Sequence, residues 1–386
     1  MPTNVSPEYK KAEAAYRKAR DPAERLALLK EMLATIPKHK GTEHLQADIK
    51  TRIKELTAEL AGPRKGGART GPVHTIRPEG AAQVALVGPP NSGKSRLHSR
   101  LTGSQAEVGP YPHTTTAPLP GMLLYEDVQF QLVDLPPIST DYMESWLPNA
   151  LQPAHAALLV LDLGQPGVAE NLVAIRDRLQ EKRIHLTENW NGRLVPDRLY
   201  DTDDPGHLKK GDQSPSTTGD RASAGTPATA SVQPGAHSTA TISEDDAEEL
   251  EDPFQVTLPT LLVLNKIDLG LDIEEVNILA ELTDTHYPAV AVSAETGQGL
   301  GRLGALLFQG LGIVRVYTKI PGKPADYERP FTVFSGDTVE DVARLIHKDV
   351  LAGLRYAKVW GSAKFDGQQV GRDYVVHDGD VLEMHT

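Results

Sequence analysis

The sequence predicts an α/β fold built on a doubly wound, mostly parallel sheet. A helical segment precedes the sheet and a smaller α+β module follows it. Three observations carry this expectation. From Gln83 onward, short apolar runs alternate with helix-length amphipathic stretches. The first run, residues 84–87, leads into a glycine-rich loop and then a helix. Residues 6–62 show only helical periodicity, whereas residues after about 313 return to short strand-like runs.

The elements follow in order. Ser6-Pro7-Glu8 supplies a cap, a first-turn proline and a first-turn acid. Asp21-Pro22-Ala23-Glu24 resembles a capping box. Leu26, Leu29, Leu33 and Ile36 then share one helical face, and Pro37 ends that helix. Lys38-His39-Lys40-Gly41 reads as a basic turn. Thr42 opens a third helix with Leu45, Ile49, Ile53, Leu56 and Leu60 along one stripe, stopped by Gly62-Pro63. That stripe suits a helix–helix seam, as in a simple dimer-stabilising bundle. Residues 63–78 hold Arg64, Lys65, Arg69 and Arg77 with no acid, the pattern of a flexible basic linker. Residues 1–78 therefore read as a helical, helix-turn-helix-like segment with a linker.

Strands are expected at 84–87, 130–133, 156–162, 261–264 and 289–292, with helices near 95–102, 167–183, 272–284 and 298–310. Residues 202–252 are rich in Ser, Thr, Gly, Pro and Ala and end in seven carboxylates between Glu244 and Asp252. Such a stretch buries too little apolar surface to offset its ordering entropy, so it reads as a disordered insert. Beyond 313, strands at 313–320, 331–334, 356–360 and 381–384 and a helix near Thr338 complete a small module.

Composition sets limits. The chain has 386 residues and no cysteine. Disulfides, zinc–thiolate sites, iron–sulfur clusters and a cysteine nucleophile are thereby excluded. The first residues are polar and no apolar run approaches the length of a bilayer span, so a cytoplasmic protein without membrane attachment is expected. The net charge is −12, but residues 1–78 hold 16 Lys/Arg against 9 Asp/Glu. An acidic body with a basic N-terminus suits either an anionic partner or an ordinary solvated helical surface.

The chemistry lies in four short segments. Gly88, Pro89, Pro90, Asn91, Ser92, Gly93, Lys94 and Ser95 spell G-x-x-x-x-G-K-S between a strand and a helix, with Arg96 next in line. Backbone N–H groups of such a loop bind phosphate oxygens. Lys94 is expected to reach the β and γ phosphates, and the Ser95 hydroxyl to ligate Mg2+. Asn265, Lys266 and Asp268 form N-K-x-D after a strand, and Ser293-Ala294 close the next strand. A carboxylate at Asp268 accepts from guanine N1–H and N2–H2, a pattern adenine lacks. An ATP-dependent phosphotransferase is the rival reading, and Asp268 argues against it.

Asp134 ends the strand 130–133 and is placed to hold magnesium through water. Guanosine triphosphatases normally continue D-x-x-G, whose glycine N–H meets the γ-phosphate. Here that position is Pro137, which has no N–H, and Ile138 stands where a water-positioning Gln is common. Between loop and strand lies Tyr111-Pro112-His113-Thr114-Thr115-Thr116. Thr115 is the preferred γ-phosphate and magnesium sensor, with Thr114 its close competitor. His113 reads as a polar loop residue rather than a base. Asn91 has two readings: it stabilises the loop turn, or it helps hold K+ beside the phosphates.

With these residues in place, the chain resembles the DRG branch of the Obg-like GTPases, which carry a C-terminal TGS domain. The resemblance rests on Ile36-Pro-Lys-His-Lys-Gly-Thr-Glu43, on the Y-P-x-T-T segment at Tyr111, and on the tail. In the tail the matching stretches are Val314-Arg-Val-Tyr-Thr-Lys319, Asp326-Tyr327, His347-Lys348 and Tyr356-Ala-Lys-Val-Trp-Gly361. It implies a Ras-like G domain over 79–312, with a small extra domain near 181–203, and a ubiquitin-like β-grasp TGS domain over 313–386. It also implies GTP binding, slow hydrolysis to GDP with Mg2+, and contact with the ribosome or rRNA, alongside a stabilising protein partner. Lys94 and Thr115 are the expected catalytic groups, and Ser95, Thr115 and Asp134 the expected metal-site residues. Because of Pro137, the alternative is a GTP-binding assembly module with little or no hydrolysis. No motif for sequence-specific DNA reading is present.

Overall fold

A computed structural model describes residues 6–19, 22–37, 42–60, 76–104, 117–192, 254–270 and 273–386. The basic turn at 38–41, Asp21 of the second cap, most of the linker and the insert 202–252 lie outside the described residues, as do Thr114 and Thr115.

The first helices pack as a bundle. In α1 (Pro7–Lys18) the Ser6 hydroxyl accepts from the Tyr9 N–H at 3.1 Å, capping one otherwise orphan donor. In α2 (Pro22–Thr35) the buried seam is Leu29, Met32 and Ile36, with Leu33 at its flank. Met32, outside the expected face of Leu26, Leu29, Leu33 and Ile36, is fully buried, whereas Leu26 is half-buried. In α3 (Glu43–Leu60), Ile49 is fully buried and Leu45, Ile53 and Leu56 lie against the same cluster. The stripe is thus covered within the chain, except Leu60, which is 45% exposed. Phe254 enters this cluster from the other side of the insert. Tyr16 meets its ring edge-on at 6.0 Å, and the Arg52 guanidinium lies 4.3 Å from its centroid.

The central sheet has seven strands among the described residues. Its main path runs β2 (Leu119–Tyr125), β3 (Val128–Asp134), β1 (Ala82–Val87), β4 (Ala156–Leu161), β6 (Val256–Leu264). The long β6 pairs with β5 (Ile184–Thr187) along its first half and with β7 (Ala289–Ala291) along its second. Every pairing is parallel except β2 with β3, which are joined by a two-residue turn at Glu126-Asp127. The β2 strand has no clear alternation in the sequence, because Pro120 and Gly121 interrupt it.

Helices α4 (Lys94–Thr102), α5 (Leu147–Leu151), α6 (Val168–Glu181), α7 (Ile273–Thr283) and α8 (Arg302–Leu311) connect these strands. Two apolar clusters sandwich the sheet, one containing α5, α6 and α7 residues, the other α4 and α8 residues. Burial on both faces explains why β4 and residues 84–87 of β1 read as unbroken apolar runs.

Residues 313–385 form a second, five-stranded sheet of order β11 (Gln368–Val370), β10 (Tyr356–Trp360), β12 (Asp380–His385), β8 (Ile313–Lys319), β9 (Ala325–Phe334). Helix α9 (Val339–Ile346) starts with a capping box between Thr338 and Asp341, and α10 (Lys348–Gly353) follows. Val339, Val342 and Ala343 of α9 close the core over Val316, Ala357, Val359 and Leu382. The two sheets are joined without a linker: α8 ends at Gly312, whose φ of +65° makes the turn into β8.

Candidate nucleotide site

Open α/β sheets bind ligands beyond the carboxyl ends of their strands, where the strand order reverses. Here β1 lies between β3 and β4, and the predicted motifs among the described residues sit at those ends. The Gly88–Ser95 loop follows β1, Asp134 closes β3, Asp162 follows β4, Asn265–Asp268 follow β6, and Ser293-Ala294 follow β7.

The loop after β1 is shaped by two left-handed residues. Gly93 has φ +89°, and a Cβ there would collide with the Asn265 carboxamide, so only glycine fits. Asn91 has φ +60° and an exposed side chain, while its carbonyl accepts from Gln165 Nε2 at 2.9 Å. Gly88, Pro89 and Ser92 are buried, and the Ser92 hydroxyl donates to Pro89 O at 3.0 Å. Lys94 is 6% exposed, and its Nζ donates to Gly88 O at 3.0 Å and Pro89 O at 2.9 Å. Burial pushes its ammonium down to about 8, opposed by the nearby Asp134 charge, so it keeps its proton at neutral pH.

The Ser95 hydroxyl donates to Asp134 Oδ2 at 2.6 Å. A hydroxyl and a carboxylate so close, both hard oxygen donors, match the donor chemistry that magnesium takes. Downstream of Asp134 the chain stays buried through Ile138, whose N–H donates to Gly88 O at 3.1 Å. Ile138 is fully buried in the core, and Pro137 beside it has no donor to offer.

Asn265 locks three loops together. Its Nδ2 donates to Ser92 O at 2.9 Å, its Oδ1 accepts from the Ala294 N–H at 3.0 Å, and its own N–H donates to Leu161 O at 2.8 Å. Lys266 has φ +69°, and its Nζ pairs with Asp162 at 2.8 Å. Asp268 is exposed, and its Oδ1 accepts from the Ser293 hydroxyl. Arg96 pairs with Glu295 at 2.7 Å. Arg100, one turn along α4, donates to the Glu295 carbonyl at 3.2 Å.

The fold therefore brings together the loop residues, Asp134, Asn265, Lys266, Asp268, Ser293 and Ala294. Thr114, Thr115 and His113 lie outside the described residues. Three contributors escaped the sequence reading. Asp162 had a signal, as the first charged residue after an apolar run. Gln165 and Glu295 had none, being polar loop residues that only the fold places here.

Residues 83–190 match the 50S ribosome-binding GTPase family, and residues 314–386 match the TGS domain. The chain is 30% identical over 372 residues to an uncharacterized GTP-binding protein of Methanocaldococcus jannaschii, covering 94% of this chain and 92% of the relative. It is 30% identical over 369 residues to developmentally-regulated G-protein 3 of Arabidopsis thaliana, covering 92% and 96%. Among solved structures, a GTP binding protein from Pyrococcus horikoshii aligns over 79% of this chain and 99% of that one, with 16% identity and a TM-score of 0.46. The shared length and the two matched domains place this chain in the developmentally-regulated GTP-binding protein family, as a P-loop GTPase with a C-terminal TGS domain.

Proposed function

We propose that this GTPase turns over slowly by itself and works in the cytoplasm as a ribosome- or rRNA-associated switch, its hydrolysis raised by that partner. The observation that carries the slow rate is the chain after Asp134. Pro137 has no N–H for the γ-phosphate, and the Ile138 N–H is engaged by Gly88 O. In this reading the loop N–H groups of residues 88–95 and Lys94 hold the phosphates, and Asp268 with Asn265, Lys266, Ser293 and Ala294 selects guanine. Ser95 and Asp134 hold magnesium, with Thr115, or Thr114 in its place, completing the set. Magnesium bound there neutralises charge on the β and γ phosphates. Water attacks the γ-phosphorus in line as the bond to the β–γ bridging oxygen breaks, and GDP and phosphate leave. Lys94 stabilises the charge that develops. Asn91 is the candidate for K+.

Three features support the ribosome or rRNA partner: the family description for 83–190, the basic residues of 1–78, and the part-exposed β10–β12 side of the second sheet. On that face Lys319 lies 4.0 Å from the Trp360 ring centroid, and Tyr356 stacks on His385 at 4.5 Å. Aromatic and cationic groups side by side suit bases and phosphates.

The test is multiple-turnover GTP hydrolysis with magnesium, in potassium and in sodium buffer, with and without ribosomes. Slow turnover that rises with ribosomes supports the reading, and a further rise in potassium supports the Asn91 role. Equal turnover with and without ribosomes at physiological salt overturns the partner. Intact GTP binding with no phosphate release in any condition points instead to a binding module awaiting another activator.

A further inference from the structure

Strand β3 carries site chemistry at one end and an interdomain contact at the other. Its last residue, Asp134, holds Ser95 at 2.6 Å. Its first residue, Val128, follows the Glu126-Asp127 turn. That turn is gripped by the TGS sheet. Arg315 Nη1 on β8 reaches Glu126 at 2.6 Å and Asp127 at 3.2 Å, and the Tyr317 hydroxyl donates to Asp127 Oδ2 at 2.7 Å.

Arg315 is itself rigidly placed. Asp378 accepts from its Nη2 at 2.8 Å, its Nε at 3.0 Å and its backbone N–H at 2.8 Å, and its guanidinium lies 5.0 Å from the Phe308 centroid on α8. Tyr125, the last residue of β2, packs on Phe308 at 5.8 Å. The same Tyr125 leaves no room for a Cβ at Gly304 of α8.

Between its ends the hairpin is stiff. Seven registered pairs run from Leu119 with Asp134 to Tyr125 with Val128, and β1 holds the other side of β3. The two ends of β3 are about 20 Å apart at strand rise. Among the described residues, the TGS sheet is otherwise anchored near the α8–β8 junction, which serves as the pivot: Ile313 is buried in the α4/α8 cluster with Phe334 packed against it, Ser335 N–H donates to the Gly312 carbonyl at 2.7 Å, and Phe334 stacks on His155 at 5.4 Å. A body held at a pivot and at one lever rotates when the lever moves.

We propose that the β2–β3 hairpin couples the nucleotide site to the orientation of the TGS sheet, with Asp127, Arg315 and Tyr317 as its joint. The proposal rests on the reading of Asp134 as a nucleotide-site residue. Linkage makes the coupling reciprocal: a partner seated on the TGS sheet in one orientation changes GTP affinity by the factor that GTP changes the partner's. The charge on Asp127 favours a tight joint. Burial alone would raise its carboxyl, but hydrogen bonds from Tyr317 and Arg315 outweigh this and hold it below the usual range.

The chain has no cysteine, so Lys182→Cys and Lys364→Cys give one unambiguous label on each side of the joint. Both positions are exposed. Spin-label distances are measured on the full chain with magnesium and GDP, then with a non-hydrolysable GTP analogue. Fluorescent-nucleotide titration is run on the same samples. The doubly labelled parent is expected to show different distances in the two nucleotide states. Asp127→Ala and Tyr317→Phe are expected to lose that difference while still binding both nucleotides. The Tyr317→Phe change removes one hydroxyl and carries the test if Asp127→Ala does not fold. A parent that binds nucleotide without a distance change, or variants that keep the change, overturns the coupling. Failure of the parent to bind nucleotide overturns the site reading instead.

Discussion

At the residue scale, Lys94 and Asp134 share a buried site, and each makes the other's charge affordable in a low-dielectric surrounding. Pro137 is the residue whose chemistry departs most from what such a site uses. Pro137→Gly restores an N–H at the position where D-x-x-G proteins place their γ-phosphate donor. Single-turnover hydrolysis is expected to rise by at least about tenfold, since one preorganised donor carries that much or more. An unchanged rate would show that Ile138, not the missing donor, limits the reaction. His98 supplies a pH signature. It is buried on α4, with Leu132 O at 3.3 Å from Nε2 and Ser104 Oγ at 3.1 Å from Nδ1. Burial lowers its pKa below 6.5, partly offset by Asp134 and the Leu132 carbonyl. The folded state then binds fewer protons than the unfolded state just below pH 6.5. Stability from this group is complete above pH 6.5 and falls as the pH drops toward the folded value. Thermal unfolding followed from pH 7.5 to 5.5 is expected to show that loss, and His98→Gln to reduce it.

At the element scale, each segment is held by what it buries. Helix α3 has a polar majority and depends on one apolar stripe for its place in the bundle. Ile49 is the fully buried member of that stripe, in contact with the cluster of Tyr9, Leu29 and Met32. Ile49→Ala is expected to destabilise the bundle by about 3 kcal/mol, through lost transfer energy and the cavity left behind. Denaturant unfolding of the full chain measures this. Nucleotide affinity is expected to hold, because among the described residues the bundle contributes no side chain to the site. Strand β2 makes the opposite point. Leu124 on it is 63% exposed, and its packed face is narrow, Leu123 and Tyr125 set against α4 and α8, so the pairing with β3 defines the strand.

At the scale of the whole molecule, an acidic chain carries two local features suited to an anionic partner: the basic 1–78 segment and the part-exposed β10–β12 side of the TGS sheet. On that face the register sets Lys358 and Lys319 on either side of Glu383, with Trp360 in the row above and Tyr356 beside His385 in the row below. Glu383 is buried, and Lys319, Lys358 and His385 all lie within 3.6 Å of it. The carboxylate thus positions the two part-exposed lysine ammonium groups over the sheet face. Trp360→Ala combined with Lys358→Glu is expected to weaken ribosome or rRNA association and to flatten its salt dependence, as one phosphate contact is removed and one base platform is lost. Cosedimentation at several salt concentrations reads both effects. Unchanged binding would move the contact to residues 1–78.

The phosphate loop, N-K-x-D and the Asp134 segment, which the fold sets side by side, were legible as motifs because the role proposed for each depends on consecutive residues whose chemistry is local. A glycine loop that points N–H groups inward is written in eight adjacent positions. The strand–helix alternation was legible for the same reason, since apolar periodicity reports burial one element at a time. Strand β2 was not legible, because its partner rather than its own pattern makes it a strand. Asp162, Gln165 and Glu295 became part of the site only when the parallel sheet set five strand ends side by side. The joint between Asp127 and Arg315 spans 188 positions of sequence, and no local pattern announces it. Local chemistry therefore determined what this protein binds, whereas tertiary packing decided which distant side chains steady that site and which turn the TGS sheet grips. Contacts between distant segments depend on how whole elements pack, and no short stretch of sequence holds that information.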